Sequence, residues 1–124
     1  MELRRSAVTS INRVGVAARY SDLVIHGNTA YFSGYVPETS IGQSVTEQTR
    51  DILGQIEQSL IEIGSDKSRL LQATIWLKDM SSYDEMNAVW DAWVVKGEAP
   101  ARACVESKLA NPDYALEIQV IAAL

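Results

Sequence analysis

The sequence predicts one α+β domain, with two helices on one face of a sheet of five or six strands. Three observations predict it: a hairpin pattern near the N-terminus, two stretches with helical periodicity, and two-residue alternation between and after those stretches. The chain of 124 residues has no internal repeat, linker or low-complexity segment. A single domain is therefore predicted to span residues 1–124.

The N-terminal part is predicted to form a weak edge strand and a clear hairpin. Residues 11–16 alternate weakly, whereas 23–25 and 30–33 are apolar, β-prone runs. Gly27-Asn28 between these runs is a favoured pair for a tight turn. Gly34 and Pro37 end the hairpin, and residues 37–42 are predicted to be a short loop.

Two amphipathic helices are predicted, over residues 44–63 and from Ser82 to Gly97. Each begins with capping-box spacing, and the first is followed by Gly64. The apolar stripe of the first helix is Val45, Thr49, Ile52, Ile56, Leu60 and Ile63, and its solvent face is Gln48, Asp51, Gln55 and Glu62. The stripe of the second helix is Tyr83, Met86, Trp90, Trp93 and Val94.

The remaining strands are predicted at 70–78, from 101 after Pro100, and at 114–124. In the first of these, Leu71, Ala73, Ile75 and Leu77 lie on one side, and Gln72, Thr74 and Trp76 lie on the other. Two helices cover only one face of such a sheet, and a tryptophan on the other face is costly to leave in water. The chain is therefore predicted to self-associate, with a half-covered surface Trp76 as the alternative.

The composition disfavours several classes of partner. A net charge of −5 and a pI near 4.8 have the wrong sign for nucleic acid or anionic lipid. The first five residues are not followed by a long apolar run, so no targeting segment or membrane span is expected and the predicted location is cytoplasmic. One Cys and one His make a metal site improbable.

The candidate site residues lie on the last two predicted strands. Alternation puts Arg102, Cys104 and Glu106 on one face of their strand, and Glu117 and Gln119 interrupt the apolar final strand. Antiparallel pairing of these strands would bring all five to one face. From the spacing alone, a cross-strand ion pair between Arg102 and Glu117 is the favoured account, and a ligand site is the alternative.

Cys104 is predicted to be a structural thiol. A catalytic cysteine needs a base beside it, and the only histidine, His26, belongs to the distant hairpin turn. A half-buried cysteine that acts as a small apolar residue is the better interpretation.

Motifs from about Tyr20 to the C-terminus carry a family resemblance. They are Phe32-Ser33-Gly34, Gln48-Thr49-Arg50, the run from Ala73 to Met80, Asn87, Pro100-Ala101-Arg102-Ala103-Cys104-Val105 and Glu117-Ile118. Their order and spacing resemble the RidA (YjgF) family of enamine/imine deaminases. Trp90-Asp91-Ala92-Trp93 and Asn111-Pro112 with Tyr114 look like the YoaB-type bacterial branch of that family.

The resemblance implies a chorismate-mutase-like α+β fold, assembled as a homotrimer with ligand clefts between subunits. It implies hydrolysis of reactive enamines and imines such as 2-aminoacrylate to 2-keto acids and ammonia, without a metal or cofactor. By the same resemblance, Arg102 would bind the substrate carboxylate and Glu117 would position or activate the attacking water. Tyr20, Ser33 and Asn87 match positions that line the family's cleft, and the backbone of Cys104 would face the ligand.

Departures from the family pattern leave a second function open. Ala18-Arg19-Tyr20 stands where Gly-Pro-Tyr is usual, Ala103 replaces a common serine, and the loop after Pro37 is short. The alternative is a non-catalytic trimer that binds or senses a small keto acid. A ribonuclease or translation inhibitor, also associated with the family, is disfavoured by the acidic charge.

Overall fold

The computed structural model describes residues 10–124, which form six strands and two α-helices. The elements are β1 (Ile11–Val16), β2 (Ser21–His26), β3 (Thr29–Phe32), α1 (Val45–Glu62), β4 (Leu70–Leu77), α2 (Tyr83–Trp93), β5 (Ala101–Glu106) and β6 (Leu116–Ala123). Within residues 10–124, neither helix combines the length and the apolar character needed to cross a membrane. The predicted lack of a targeting segment concerns the first five residues, which lie outside the described residues.

The strands form one sheet in the order β1-β2-β3-β6-β4-β5. All neighbours are antiparallel except β4 and β5, which are parallel. The predicted hairpin is confirmed: β2 pairs with β3 around Gly27, which has the positive φ of 61° that a tight turn requires. The predicted edge strand is also confirmed, since β1 is the outer strand beside β2.

The predicted pairing of the last two strands is wrong. β4 lies between β5 and β6 and pairs with both. The reason is the helix that precedes β5: a strand, a helix and a second strand form a crossover unit, whose strands are parallel neighbours. β6 then pairs with the other edge of β4. The second edge of β6 pairs with β3, which joins the hairpin to the rest of the sheet.

Both helices pack on one face of the sheet, as predicted. The core between the helices and the sheet is apolar, and nearly all of its residues are less than 6% exposed. Its residues on the helices are Ile52, Leu53, Ile56 and Leu60 of α1 and Met86 and Trp90 of α2. Those on the central strands are Ala73, Ile75, Leu77, Leu116, Ile118, Val120 and Ala122. The opposite face, called the open face below, has no helix from residues 10–124 on it. Trp76 lies on it and is half-buried, in register with Glu117 on β6 and Val105 on β5.

Two predicted side-chain positions are wrong. Gln48 is buried, because the turn before β6 packs over α1: its Nε2 donates to the carbonyls of Gln43 and Asp113, and its Oε1 accepts from the backbone N–H of Ala115. Leu71 is 48% exposed, because a register irregularity between Leu70 and Gln72 puts Leu70 into the core instead.

The helix ends agree with the sequence only in part. Ser44 caps α1, since its Oγ accepts from the backbone N–H of Glu47 at 3.1 Å. Ser82 makes no such bond at the start of α2; Glu85 instead accepts from the backbone and hydroxyl of Thr46 and so joins the two helix N-termini. α2 ends at Trp93 rather than Gly97, because Val94 is already extended.

Candidate functional site

Arg102 lies on the edge strand β5 and points toward α2. Its Nη1 donates to Asn87 Oδ1 at 2.8 Å, and its Nη2 donates to the Tyr83 hydroxyl at 3.2 Å. Its guanidinium carbon is 5.3 Å from the Trp90 ring centroid and 5.9 Å from that of Tyr83. These contacts fix the plane of the guanidinium by hydrogen bonding and by cation–π attraction.

The three partners of Arg102 come from one face of α2. Tyr83, Asn87 and Trp90 are spaced four and three residues apart, so helical geometry stacks them above one another. Within residues 10–124, no carboxylate lies within 4.0 Å of Arg102. A guanidinium has five N–H donors, and the two bonds to α2 leave three for a ligand, enough for a bidentate carboxylate.

Cys104 packs against the core beside Arg102 and is half-buried. Burial raises the pKa of its thiol, and the charge of Arg102 offsets this only in part. The neutral thiol is a small packing group, as the sequence predicts. The backbone of Cys104 faces away from the core, toward the free edge of the sheet. Ser107 N–H donates to the Leu77 carbonyl on β4. Because backbone N–H and C=O groups point to alternate sides along a strand, those of Cys104 point away from β4.

Glu117 lies on the open face, beside Trp76 on β4. Burial raises the pKa of its carboxyl, and no donor within the described residues bonds to it. Gly34 lies directly against it, and a Cβ at that position would overlap Glu117 Oε2. The glycine therefore makes room for a half-buried carboxylate to which residues 10–124 donate no hydrogen bond.

Ser33 and Tyr20 lie near the hairpin side of the sheet. Ser33 Oγ donates to the carbonyl of Ser21 at 2.5 Å, and Tyr20 is 61% exposed. Both line a cavity of about 670 Å³ between the first three strands and α1. Its other lining residues include Val14, Asp22, Leu23, Gly34, Tyr35, Val36, Glu38 and Gln55.

Asp51 anchors the loop that borders this cavity. Its Oδ2 accepts from the backbone N–H groups of Glu38, Thr39 and Ser40 and from Ser40 Oγ, at 2.7 to 3.2 Å. Burial alone would raise the pKa of Asp51, but these bonds and one from Gln55 lower it to about 2. The loop predicted as short is therefore held by one ionised side chain on α1.

The structure separates the predicted site residues into two groups, and the prediction that Arg102 and Glu117 share a face is wrong. Arg102 and Cys104 are in register with Ala73 and Ile75, which face the helices, whereas Glu117 is in register with Trp76, which faces away. Arg102, Asn87 and Cys104 form one group on the helix side. Glu117 and Ser33 flank Gly34, and Tyr20 is close to Ser33 in the cavity wall. The cross-strand ion pair is absent for the same reason.

Sequence reasoning missed three residues of this arrangement. The sequence places Tyr83 and Trp90 in an apolar helix stripe, and Trp90 also in a motif of the family resemblance, but assigns neither to the site, although their spacing around Asn87 was a usable signal. Gly34 was predicted only to end the hairpin, and nothing in the sequence indicated that it lies against Glu117. Within residues 10–124, no three His, Cys, Asp or Glu side chains converge in a way that would hold a metal ion.

The fold and the site define a class: a small α+β protein with a pre-oriented arginine at the sheet edge and a desolvated carboxylate on the open face. A family model described as Endoribonuclease L-PSP matches residues 10–124. A RutC family protein from Haemophilus influenzae is 48% identical over 113 residues, covering 91% of this chain and 97% of that protein. The RutC family protein YoaB of Escherichia coli is 47% identical over 115 residues, with coverage of 93% and 99%.

Solved structures agree with these sequence matches. A YjgF-family protein from Neisseria meningitidis superposes with a TM-score of 0.89 at 46% identity, covering 94% of this chain and 96% of that one. Yeast Mmf1 superposes with a TM-score of 0.83 at 26% identity, with coverage of 92% and 98%. The chain belongs to the RidA (YjgF/RutC) family, as the sequence motifs predict.

Proposed function

We propose that the protein hydrolyses small enamines and imines that carry a carboxylate, giving 2-keto acids and ammonia, in clefts between the copies of a homotrimer. Arg102 is the observation that carries the proposal. Its guanidinium is held in a fixed plane by α2 and keeps three donors free of partners within the described residues. An arginine oriented in this way binds a planar carboxylate in two parallel hydrogen bonds.

The opposite faces of Arg102 and Glu117 support a site between copies. Arg102 is in register with Ala73, and Glu117 is in register with Trp76 on the same strand β4. Strand spacing and rise put their backbones about 10 Å apart across the sheet and about 10 Å apart along it, with the side chains on opposite faces. A small ligand cannot contact both groups of one chain, so the proposal takes Arg102 from one copy and Glu117 from the next.

The open face supports the assembly. It carries Trp76, Tyr31, Val105 and Ile121, and no helix of the described part of the chain covers them; Tyr31 and Val105 are 45% and 44% exposed. Apolar surface of this extent is removed from water favourably when sheets of separate copies face one another. Packing of three open faces would also complete the desolvation of Glu117.

The chemistry needs only water, a carboxylate and the bound substrate. An enamine first gains a proton at its terminal carbon and loses one from nitrogen, and so becomes the imine. Glu117 then takes a proton from water as the oxygen attacks the imine carbon, a C–O bond forms and the C=N electron pair moves to nitrogen. Glu117 returns that proton to nitrogen and then transfers the proton of the new hydroxyl to nitrogen as well. The C–N bond breaks, ammonia leaves, and the oxygen electron pair forms the carbonyl of the 2-keto acid.

Glu117 suits both proton steps. Burial raises the pKa of its carboxyl toward the working pH, which makes the proton easier to hold and to return. With no bond from a donor in the described residues, its oxygens are free for a water molecule. Ser33 and Tyr20, which share the cavity wall beside Gly34, would line the same side of the cleft.

RNA cleavage is not part of the proposal, although the description of the matching family model names an endoribonuclease. A net charge of −5 opposes the approach of a polyanion. The free donors of Arg102 are concentrated at one point, which fits a single carboxylate better than a phosphate chain.

The test generates 2-aminoacrylate in situ with a pyridoxal-phosphate lyase and follows its decay with wild-type protein, Arg102→Ala and Arg50→Ala. Arg50 is a matched control, because it is an exposed arginine whose one ion pair with a residue between 10 and 124 is to Glu47. Wild type and Arg50→Ala should accelerate decay and Arg102→Ala should not. If 2-aminoacrylate decays at the same rate with each of the three proteins as it does without protein, the proposed deaminase activity is refuted. Arg102-dependent binding of pyruvate without turnover would favour the binding trimer instead.

A further inference from the structure

We propose that Tyr83 is a second anchor for the substrate carboxylate, beside Arg102, and that Trp90 positions the Arg102 guanidinium for it. This inference rests on the proposed function, because it concerns the carboxylate that Arg102 binds. Neither residue is among those carried over from the family resemblance. Both contact Arg102 directly, one through a hydroxyl and both through the aromatic ring.

The hydroxyl of Tyr83 has a proton to give. It accepts from Arg102 Nη2 at 3.2 Å, and its own proton has no acceptor within residues 10–124. A ligand carboxylate can place one oxygen on the second N–H of Nη2 and turn its other oxygen toward this hydroxyl. Tyr83 can therefore accept from the guanidinium and donate to the ligand at the same time.

The surroundings leave space for a ligand at this place. Tyr83 is 39% exposed and lines an open depression of about 560 Å³ with Met80, Ser81, Asp84 and Cys104. The depression lies where the backbone of Cys104 reaches the free edge of β5. One carboxylate oxygen would thus accept from Arg102 and the other from the O–H of Tyr83.

Trp90 acts on Arg102 and not on the ligand. It is 4% exposed, so its ring is fixed in the core, and the guanidinium carbon lies 5.3 Å from the ring centroid. Asn87 and Tyr83 hold the two terminal nitrogens while the Trp90 ring restricts tilting of the plane. An aliphatic residue at position 90 would fill space without attracting the cation.

The experiment measures pyruvate binding by calorimetry and imine hydrolysis by steady-state kinetics on the full chain. We expect Tyr83→Phe to raise the pyruvate Kd and the KM about tenfold, with kcat unchanged, because the lost bond serves ground state and transition state alike. Trp90→Phe should stay within about twofold of wild type, and Trp90→Leu should weaken binding about fivefold. A structural role alone would not raise KM while leaving kcat unchanged in Tyr83→Phe, nor would it leave binding near normal in Trp90→Phe but weakened in Trp90→Leu.

Two controls make the outcomes distinct. Trp93→Phe changes the neighbouring tryptophan of α2, which bonds to Glu57 rather than Arg102, and Tyr114→Phe removes a hydroxyl from the turn before β6; neither should change the Kd. If wild type binds pyruvate, Arg102→Ala does not, and Tyr83→Phe binds like wild type, the anchor is refuted while the proposed function stands. If wild-type protein neither binds pyruvate nor hydrolyses the imine, both proposals fail.

Discussion

Arg102 and Glu117 point away from opposite faces of the same sheet, and β4 lies between their two strands. The ladder fixes this, since Arg102 is in register with Ala73 and Glu117 with Trp76, and neighbouring residues of β4 face opposite sides. Within the described residues the side-chain hydrogen bonds of the arginine go to α2, and the carboxylate lies against Gly34 without a donor. A second copy is needed for the two groups to act together.

Glu117→Gln should lower activity and raise stability. Hydrolysis should fall at least about a hundredfold, the usual contribution of a general base. Because burial raises the pKa of Glu117, the wild type loses stability as pH rises through that pKa, and glutamine cannot ionise. The unfolding free energy of the variant should exceed that of wild type near pH 7, and the difference should shrink below pH ~4.

Urea unfolding between pH 4 and pH 8, at one fixed protein concentration, measures this difference. Fixed concentration is needed because subunit association contributes to the apparent stability. A variant that is less stable than wild type at neutral pH, or a difference that does not depend on pH, contradicts the desolvated carboxylate.

Gly34→Ala should affect activity much more than folding. Gly34 has an ordinary backbone conformation, so alanine causes no strain in φ, but its Cβ would overlap Glu117 Oε2. The carboxylate is the far end of a flexible side chain, so it can rotate away at small energetic cost and leave its catalytic position. We expect a rate close to that of Glu117→Gln with a Tm near that of wild type. Near-normal hydrolysis would show that the position of Glu117 beside Gly34 is unimportant.

Asp51→Asn should loosen the loop at the cavity. An amide cannot accept the four bonds that Oδ2 now accepts, and we expect a loss of about 1 kcal/mol at pH 7, since solvent screens much of the effect. The pKa of Asp51 is lowered to about 2, so its contribution is complete above pH ~4 and is lost between there and pH 2.

The difference between wild type and Asp51→Asn in chemical denaturation should therefore shrink in acid. Asp91→Asn is the matched control, because Asp91 is exposed on α2 and accepts no side-chain bond within the described residues; it should unfold like wild type at pH 7. A constant difference between Asp51→Asn and wild type down to pH 2 would be incompatible with an ionised anchor.

Local patterns predicted most of the elements but not how the strands are arranged. The α1 stripe and the Gly27-Asn28 turn depend on neighbours a few residues away, which the sequence displays directly. The pairing of β5 with β4 depends on a crossover through α2, and the alternation of β5 is equally compatible with either neighbour. This single topological choice decided which face Arg102 occupies, and so the predicted contact with Glu117 was wrong.

Side chains with long-range partners were also hard to predict. Gln48 is polar at a helix position that points toward the sheet side of α1, and two of its three hydrogen-bond partners lie in the turn before β6, more than sixty residues later. Asp51 was predicted to face solvent, yet it organises a loop. In contrast, Arg102 and Cys104 were placed correctly beside each other, because strand alternation is a local property.

Mixing two inactive variants tests the central claim most directly. Arg102→Ala and Glu117→Gln are each expected to be inactive. A cleft that takes Arg102 from one copy and Glu117 from the next is intact where a Glu117→Gln copy supplies the arginine and an Arg102→Ala copy supplies the glutamate. Random 1:1 reassembly should restore about a quarter of the wild-type rate of imine hydrolysis, because one ordered pair of neighbours in four carries both groups. A mixture as inactive as its two components, after subunit exchange has been verified by mass, would contradict a site shared between copies.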